Sequence, residues 1–224
     1  MVDPAPAALR VVAVLPAFNE SESIVDVVRA IAPYLPAIVV DDGSTDGTGA
    51  LARGAGAEVV RHETNRGYDK ALESGLIRAV ELGYDAAITI DADGQHDPSL
   101  LVRFIDSLTA GADLVVGVRD RRQRWSESLF SIVGHVLWRI EDPLCGMKGY
   151  AVGFLRKVNP LSTYESIGTE LALLAARSQC RITEVPVPCA MRVGASRFGS
   201  GIRANLRIVH ALIRGLKDRR VLHA

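Results

Sequence analysis

The 224-residue chain carries 26 Lys and Arg against 26 Asp and Glu, and is 48% hydrophobic and 23% charged. That composition excludes disordered, collagen-like and disulfide-framework classes, and the length is enough to bury roughly 70% of the unfolded surface in one core. The zero net charge hides a polarity: residues 1–112 hold 8 Lys/Arg and 17 Asp/Glu, a net of −9, whereas residues 113–224 hold 18 and 9, a net of +9.

Opposite halves can simply attract each other, or one half can hold a cation while the other faces phosphates or an anionic surface. The longest charge-free runs, Ala30–Val40 and Ser128–Trp138, fall well short of the roughly 20 apolar residues of a spanning helix. The chain is therefore not expected to cross a membrane. Met1–Ala8 lacks the basic start and apolar run of a signal peptide, and Cys145, Cys180 and Cys189 are odd in number and without metal-type spacing. Both features point to a reducing cytosol.

Strand-like runs alternate with helical patterns through the first half, which predicts an α/β fold with a mainly parallel sheet flanked by helices. Leu9–Leu15 is the first strand. Ile24, Val27, Val28 and Ile31 sit at helical spacing, with Asn19 and Glu22 placed for an N-terminal cap. Strands follow at Ala37–Val40 and Glu58–Arg61, a helix at Asp69–Leu82, a strand at Ala86–Ile90, a helix at Pro98–Ala110 and a strand at Asp113–Val118. Beyond Arg119 the rhythm changes: Trp125–Ile140, Thr163–Arg177 and Gly201–Lys217 read as helices and Arg181–Val187 as extended. The division expected is one domain, with residues 9–118, 119–200 and 201–224 as its successive parts.

In open parallel sheets, ligands bind beyond the carboxyl ends of the strands. Three polar clusters fall there: Pro16–Glu20, Asp41–Thr48 and Asp91–Pro98. Asp91-Ala92-Asp93 places two carboxylates at a strand end, where they can hold Mg²⁺ or Mn²⁺ with coordination positions left for diphosphate oxygens; an acidic turn with no metal is the other reading. Asp41-Asp42-Gly43-Ser44 is a turn that can cap the next helix, or a carboxylate that accepts from a nucleobase or ribose.

These three clusters, with Asn65-Arg66-Gly67, Gly117-Val118-Arg119 and Asp142-Pro143-Leu144-Cys145-Gly146, occur in an order and spacing that resembles family 2 glycosyltransferases of the GT-A fold. The last two elements resemble the branch of dolichol-phosphate mannose synthases and bacterial polyprenyl-phosphate glycosyltransferases. The resemblance implies that Pro16, Phe18 and Glu20 line the nucleotide and that Val40 and Asp42 contact base and ribose. Asp91, Ala92, Asp93 and Gln95 match the stretch that meets the sugar diphosphate and its cation, Asp93 being the direct ligand. Arg119 matches a basic residue near the reacting phosphates.

The implied reaction moves a hexose, of mannose or glucose type, from a nucleotide sugar (GDP-mannose or UDP-glucose type) to a polyprenyl phosphate, with inversion. Asp142 stands where relatives with hydroxyl acceptors keep a carboxylate base; here it is a base, an orienting group for the acceptor loop, or a turn residue. Lys148 either engages the acceptor phosphate or lies on a solvated face. Arg192-Val193-Gly194-Ala195-Ser196-Arg197 resembles the family's basic loop over the diphosphate, although the interval between its two basic residues is one short. Lys70 is displaced from the usual Asn-x-Gly-Lys/Arg form. His96 is expected to hydrogen-bond in the turn beside Asp97.

The last helix sets Ile202, Leu206, Val209, Ile213 and Leu216 in one stripe beside Arg203, Arg207, His210, Arg214 and Lys217. Such a helix either lies on an anionic leaflet or packs its apolar stripe on the domain. Trp125–Ile140 is a second candidate for membrane or acceptor contact. The expected location is cytoplasmic, at a membrane face, with no nucleic-acid partner. The competing functions are transfer to a hydroxyl acceptor and a non-catalytic nucleotide-sugar-binding module.

Overall fold

The computed structural model describes residues 9–94, 96–120, 125–158, 160, 161, 163, 166–188 and 202–222. Seven strands form one sheet: β1 Val11–Ala17, β2 Ala37–Asp41, β3 Glu58–Arg61, β4 Ala86–Thr89, β5 Leu114–Arg119, β6 Lys148–Ala151 and β7 Ile182–Val187. Among the described residues eight α-helices accompany them: α1 Ile24–Ile31, α2 Thr48–Gly54, α3 Tyr68–Glu81, α4 Leu101–Thr109, α5 Trp125–Trp138, α6 Val152–Leu155, α7 Ile167–Arg177 and α8 Ile202–Lys217.

The strand order is β3-β2-β1-β4-β6-β5-β7. All pairings are parallel except those of β6, which runs antiparallel to β4 and β5 with Lys148 opposite Thr89 on one side and Val116 on the other. β1 is buried along its whole length, as expected of a strand covered on both faces. Its side chains alternate between two cores. Val11, Ala13 and Leu15 join α1 and α4 through Ile24, Ile31, Leu101 and Phe104. Val12 and Val14 join α3 and α7 through Leu72, Leu76, Ile167 and Leu171.

Helix α3 lies close on the sheet because Gly75 has no side chain: a Cβ there would sit 2.4 Å from Val14 Cγ1 and 3.0 Å from Val40 Cγ2. Gly43, at φ +75°, lets the turn after β2 press against the backbone of Thr64 and Asn65, where a Cβ would come within 2.6 Å.

Several expectations need correction. The first helix begins at Ile24 with Ser23 at its N-cap position, and Asn19 takes a left-handed backbone (φ 54°) instead of capping it. The segment after Gly146 is a strand, β6, with Lys148 only 2% exposed, so this lysine is not on a solvated face. Gly146 and Gly149 weaken the strand pattern locally, which is why apolar alternation does not reveal it.

Candidate active site

The ends of β1 and β2 are laced together. The Asn19 amide donates to Ser44 Oγ (3.0 Å), Thr45 N to Asn19 Oδ1 (3.0 Å), Glu20 N to Thr48 Oγ1 (2.8 Å) and Ser21 N to Asp46 Oδ2 (3.0 Å). Pro16 and Val40 are register partners within the sheet, and Phe18 projects from this edge, 44% exposed. Burial alone would raise the Asp46 carboxyl, but donation from Thr48 and from the Ser21 amide holds it well below the usual range.

Asp41 and Asp42 are both buried, and each of their carboxylate oxygens has a hydrogen-bond partner. Asp41 Oδ1 accepts from Ser44 N (2.9 Å) and its Oδ2 from Arg61 Nη1 (2.7 Å). Asp42 Oδ1 meets His62 Nδ1 at 2.6 Å and accepts from Arg66 N at 2.9 Å, while Oδ2 accepts from Gly67 N at 2.8 Å. Ser74 Oγ holds the other His62 nitrogen at 3.0 Å. Asp42 therefore organises the loop after β3 from the end of β2.

The first residue of α3, directly after that loop, reaches the third acidic turn. Tyr68 donates its phenol to Asp91 Oδ1 at 3.3 Å, and burial, then the charge of Asp91, pushes the phenol well above its ordinary pKa. Gly67 and Tyr68, adjacent in sequence, thus join the Asp42 and Asp91 carboxylates. Ala92, fully buried, accepts from Ser23 Oγ at 2.8 Å, tying the same turn to the start of α1. His96 faces Asp91 Oδ2 at 3.6 Å, whereas Asp97 caps the following 3₁₀ turn by accepting from Ser99 N (2.9 Å).

Because β6 runs backwards, the loop that precedes it enters at the same edge as the ends of β4 and β5. Asp142 lies there, 2% exposed, in a two-point fork with Arg119: Nε to Oδ2 is 2.7 Å and Nη2 to Oδ1 is 2.9 Å. Burial alone would lower the Arg119 pKa, but the bonds to Asp142 raise it above the ordinary value. Arg119 Nη1 also stands 3.8 Å from Glu127 Oε2. Thr89 Oγ1 donates to Gly146 O (2.7 Å), Thr169 Oγ1 to Pro143 O (3.4 Å), and Lys148 Nζ to Cys145 O. Burial lowers the Lys148 pKa and pushes the Cys145 thiol up to about 11.

Asp91 and Asp93, both partly exposed at the rim, form a hard oxygen donor set of the kind Mg²⁺ and Mn²⁺ take. A Cβ at Gly146 would stand 3.3 Å from Asp91 Oδ2, so the glycine keeps that carboxylate clear on one side. Among the described residues no three His, Cys, Asp or Glu side chains gather as a metal cluster. Gln95, Arg192 and Arg197 lie outside the described residues. His62 and Tyr68 escaped the sequence reading. The signal for His62 was available: it directly follows β3, at the same edge as the acidic turns.

A mainly parallel sheet with its polar turns at one edge, and a reversed strand that delivers another loop to them, is the GT-A fold of glycosyltransferases. The chain belongs to glycosyl transferase family 2, whose family model matches residues 12–129. The polyprenol monophosphomannose synthase of Mycolicibacterium smegmatis is 32% identical to it, over 94% of this chain and 89% of that one. The undecaprenyl-phosphate mannosyltransferase of Micrococcus luteus is also 32% identical, over 87% and 89%. Among solved structures, glucosyl-3-phosphoglycerate synthase from Mycobacterium tuberculosis, in complex with Mn²⁺, uridine diphosphate and glucosyl-3-phosphoglycerate, superposes with a TM-score of 0.76 at 21% identity, covering 96% of this chain and 82% of that one. That likeness is one of fold.

Proposed function

We propose that this chain transfers a hexose, of mannose or glucose type, from a nucleoside-diphosphate sugar to a polyprenyl phosphate, with inversion at the anomeric carbon. Its two relatives at 32% identity are named for mannosyl transfer to polyprenyl phosphates. The observation that carries the reading is the Asp42–Gly67–Tyr68–Asp91 link, which joins a turn suited to a nucleoside with a turn suited to a diphosphate and its cation.

In this reading Pro16, Phe18, Glu20, Val40 and Asp42 line the nucleoside. Asp91 and Asp93, with Gln95, hold Mg²⁺ or Mn²⁺; when bound, the cation offsets charge on the departing nucleoside diphosphate. Arg192 and Arg197 belong to the loop over the diphosphate. Arg119 and Lys148 supply positive potential on the acceptor side. A phosphate monoester is already largely ionised near neutral pH, because its second pKa is about 6, so the acceptor needs no strong base. Asp142 then holds Arg119 in place. Both its oxygens already accept from Arg119, which favours this role over that of a base for a hydroxyl acceptor. The expected location is the cytoplasmic face of a membrane, a site consistent with a lipid acceptor.

A donor screen tests this. Purified protein is given GDP-mannose or UDP-glucose, Mg²⁺ or Mn²⁺ and a short polyprenyl phosphate, and both released nucleotide and glycolipid are read. Glycolipid formation that Asp93→Ala abolishes without loss of fold is expected. Transfer to soluble sugars alone supports the hydroxyl-acceptor reading, and nucleotide-sugar binding without turnover supports the binding module.

A further inference from the structure

The ends of β2 and β3 meet in two successive pairs of side chains. Asp41 and Arg61 are register partners, and Arg61 Nη1 donates to Asp41 Oδ2 at 2.7 Å with the arginine side chain 56% exposed. One residue further on, Asp42 and His62 form the inner pair: Oδ1 and Nδ1 are 2.6 Å apart, with Asp42 3% and His62 7% exposed. The His62 amide donates to the Asp41 carbonyl at 2.9 Å, so the sheet edge fixes where the imidazole starts. On its far side the ring meets Ser74 Oγ of α3 at 3.0 Å. The imidazole is held from three directions, and the proposed reaction has so far given it no task.

Ser74, His62 and Asp42 follow one another as the nucleophile, base and orienting carboxylate of a serine hydrolase do. The serine is in the wrong place for that chemistry. Ser74 lies midway along α3, a helix of 14 residues, where backbone N–H groups are spent on the helix ladder and none is left to receive an oxyanion. The series therefore acts towards its other end, Asp42.

An ionised carboxylate offers about four acceptor positions. Among the described residues Asp42 gives two on Oδ1, to His62 Nδ1 and Arg66 N, and one on Oδ2, to Gly67 N. Because Asp42 accepts, the short contact assigns a proton to His62 Nδ1, and Nε2 accepts from the Ser74 hydroxyl, which rotates to suit. The position left over is on Oδ2. The Arg66 and Gly67 amides belong to the loop that Asp42 itself organises, so they cannot fix its carboxylate independently. The imidazole can, because β2 and α3 anchor it from outside that loop. We infer that His62 is a positioning residue for the nucleotide sugar: it locks the Asp42 carboxylate so that one acceptor, on Oδ2, is presented to an N–H or O–H of the nucleoside. This rests on the nucleoside contact proposed for Asp42. The effect falls on binding and not on the transfer step, since a nucleoside remote from the reacting bond is held alike in the ground and transition states.

The test is calorimetric titration of UDP and of GDP into the full chain with Mn²⁺, together with steady-state kinetics on UDP-glucose and GDP-mannose with a short polyprenyl phosphate. Two amides separate the two ring nitrogens: Asn places its N–H near the Nδ1 position, and Gln near that of Nε2. His62→Gln, which leaves Asp42 without this donor, is expected to weaken nucleotide binding and raise KM for the nucleotide sugar about tenfold or more, with kcat within about threefold of the parent and KM for the polyprenyl phosphate unchanged. His62→Asn restores both to within about threefold, and Ser74→Ala, which frees the far side of the ring, weakens binding by about two- to fivefold and carries the test if His62→Gln does not fold. Adding His62→Gln to Asp42→Asn costs nothing further, because His62 acts through Asp42; a role in stability alone would add. Unchanged binding in His62→Gln, a fall in kcat at constant KM, additive losses in the double variant, or ester hydrolysis that Ser74→Ala removes each overturns the proposal. A parent that binds neither UDP nor GDP fells the functional reading and this inference with it, whereas a parent that binds and a His62→Gln chain that binds as well fell the inference alone.

Discussion

Tyr68 Oη lies 3.3 Å from Asp91 Oδ1, and through it the loop held by Asp42 is joined to the turn that carries Asp91 and Asp93. A hydrogen bond to a charged group is worth roughly 1.5–3 kcal/mol, and this one is long, so the lower end applies. Tyr68→Phe is expected to lower kcat/KM for the nucleotide sugar about tenfold and to cost at most about 1.5 kcal/mol of stability. Steady-state kinetics with a parallel urea titration check it, and an unchanged kcat/KM would show that the two turns hold their places without the phenol.

The fork between Arg119 and Asp142 is mostly shielded, with Asp142 2% exposed and the Arg119 side chain 20% exposed. Breaking a buried pair from one side costs roughly 3–5 kcal/mol, and the partial exposure of Arg119 brings this to about 2–4 kcal/mol. Asp142→Asn keeps the shape but removes the charge. It should cost that much in chemical denaturation and reduce glycolipid formation by at least tenfold. A loss of stability below about 1 kcal/mol would show that the pair does not anchor the loop.

Burial keeps the Cys145 thiol protonated up to about pH 11, against a starting value of 9.0. As pH rises past 9 the unfolded chain loses this proton and the folded chain retains it, so stability falls until the folded thiol also ionises. Two pKa units correspond to roughly 2–3 kcal/mol. Urea midpoints of the parent should drop across this window faster than those of Cys145→Ala; parallel curves would contradict the assignment.

Gly75→Ala sets two effects against each other. Alanine improves helix propensity by about 1 kcal/mol, but its Cβ would stand 2.4 Å from Val14 Cγ1 in a fully buried strand. Overpacking at a site that cannot yield costs about 1–3 kcal/mol, so the substitution should be net destabilising. Thermal unfolding is expected some 2–6 °C lower, whereas an increase would mean that α3 can slide on the sheet.

Much of this architecture is visible in the amino-acid order, for a physical reason. Strands such as Val11–Ala17 and Ala37–Asp41 are continuous apolar runs because helices cover both faces, and their polar ends stand out sharply against them. The segment Lys148–Ala151 is different: it is short, begins with a lysine and contains a glycine, and only its neighbours Thr89 and Val116 make it a strand. Lys148 reads equally as an acceptor-phosphate contact or a surface charge, and its burial against the carbonyl of Cys145 removes the second. His62 and Tyr68 are likewise set by contacts across 20 and 23 positions of chain, to Asp42 and Asp91, which no local spacing records.

The reversal of β6 separates two kinds of evolutionary freedom. Strands β1 to β4 and their turns form a scaffold in which any shift of register would disturb several hydrogen-bonded loops at once. The connection from β5 to β6 leaves the sheet at Arg119 and returns at Lys148, and its described residues are held by the Arg119–Asp142 fork, by bonds from Ser126 to Asn205 and from Glu141 N to Glu184, and by the burial of Ile140, Cys145 and Met147. Insertions and exchanges in that connection would leave the register of β1, β2 and β4 undisturbed.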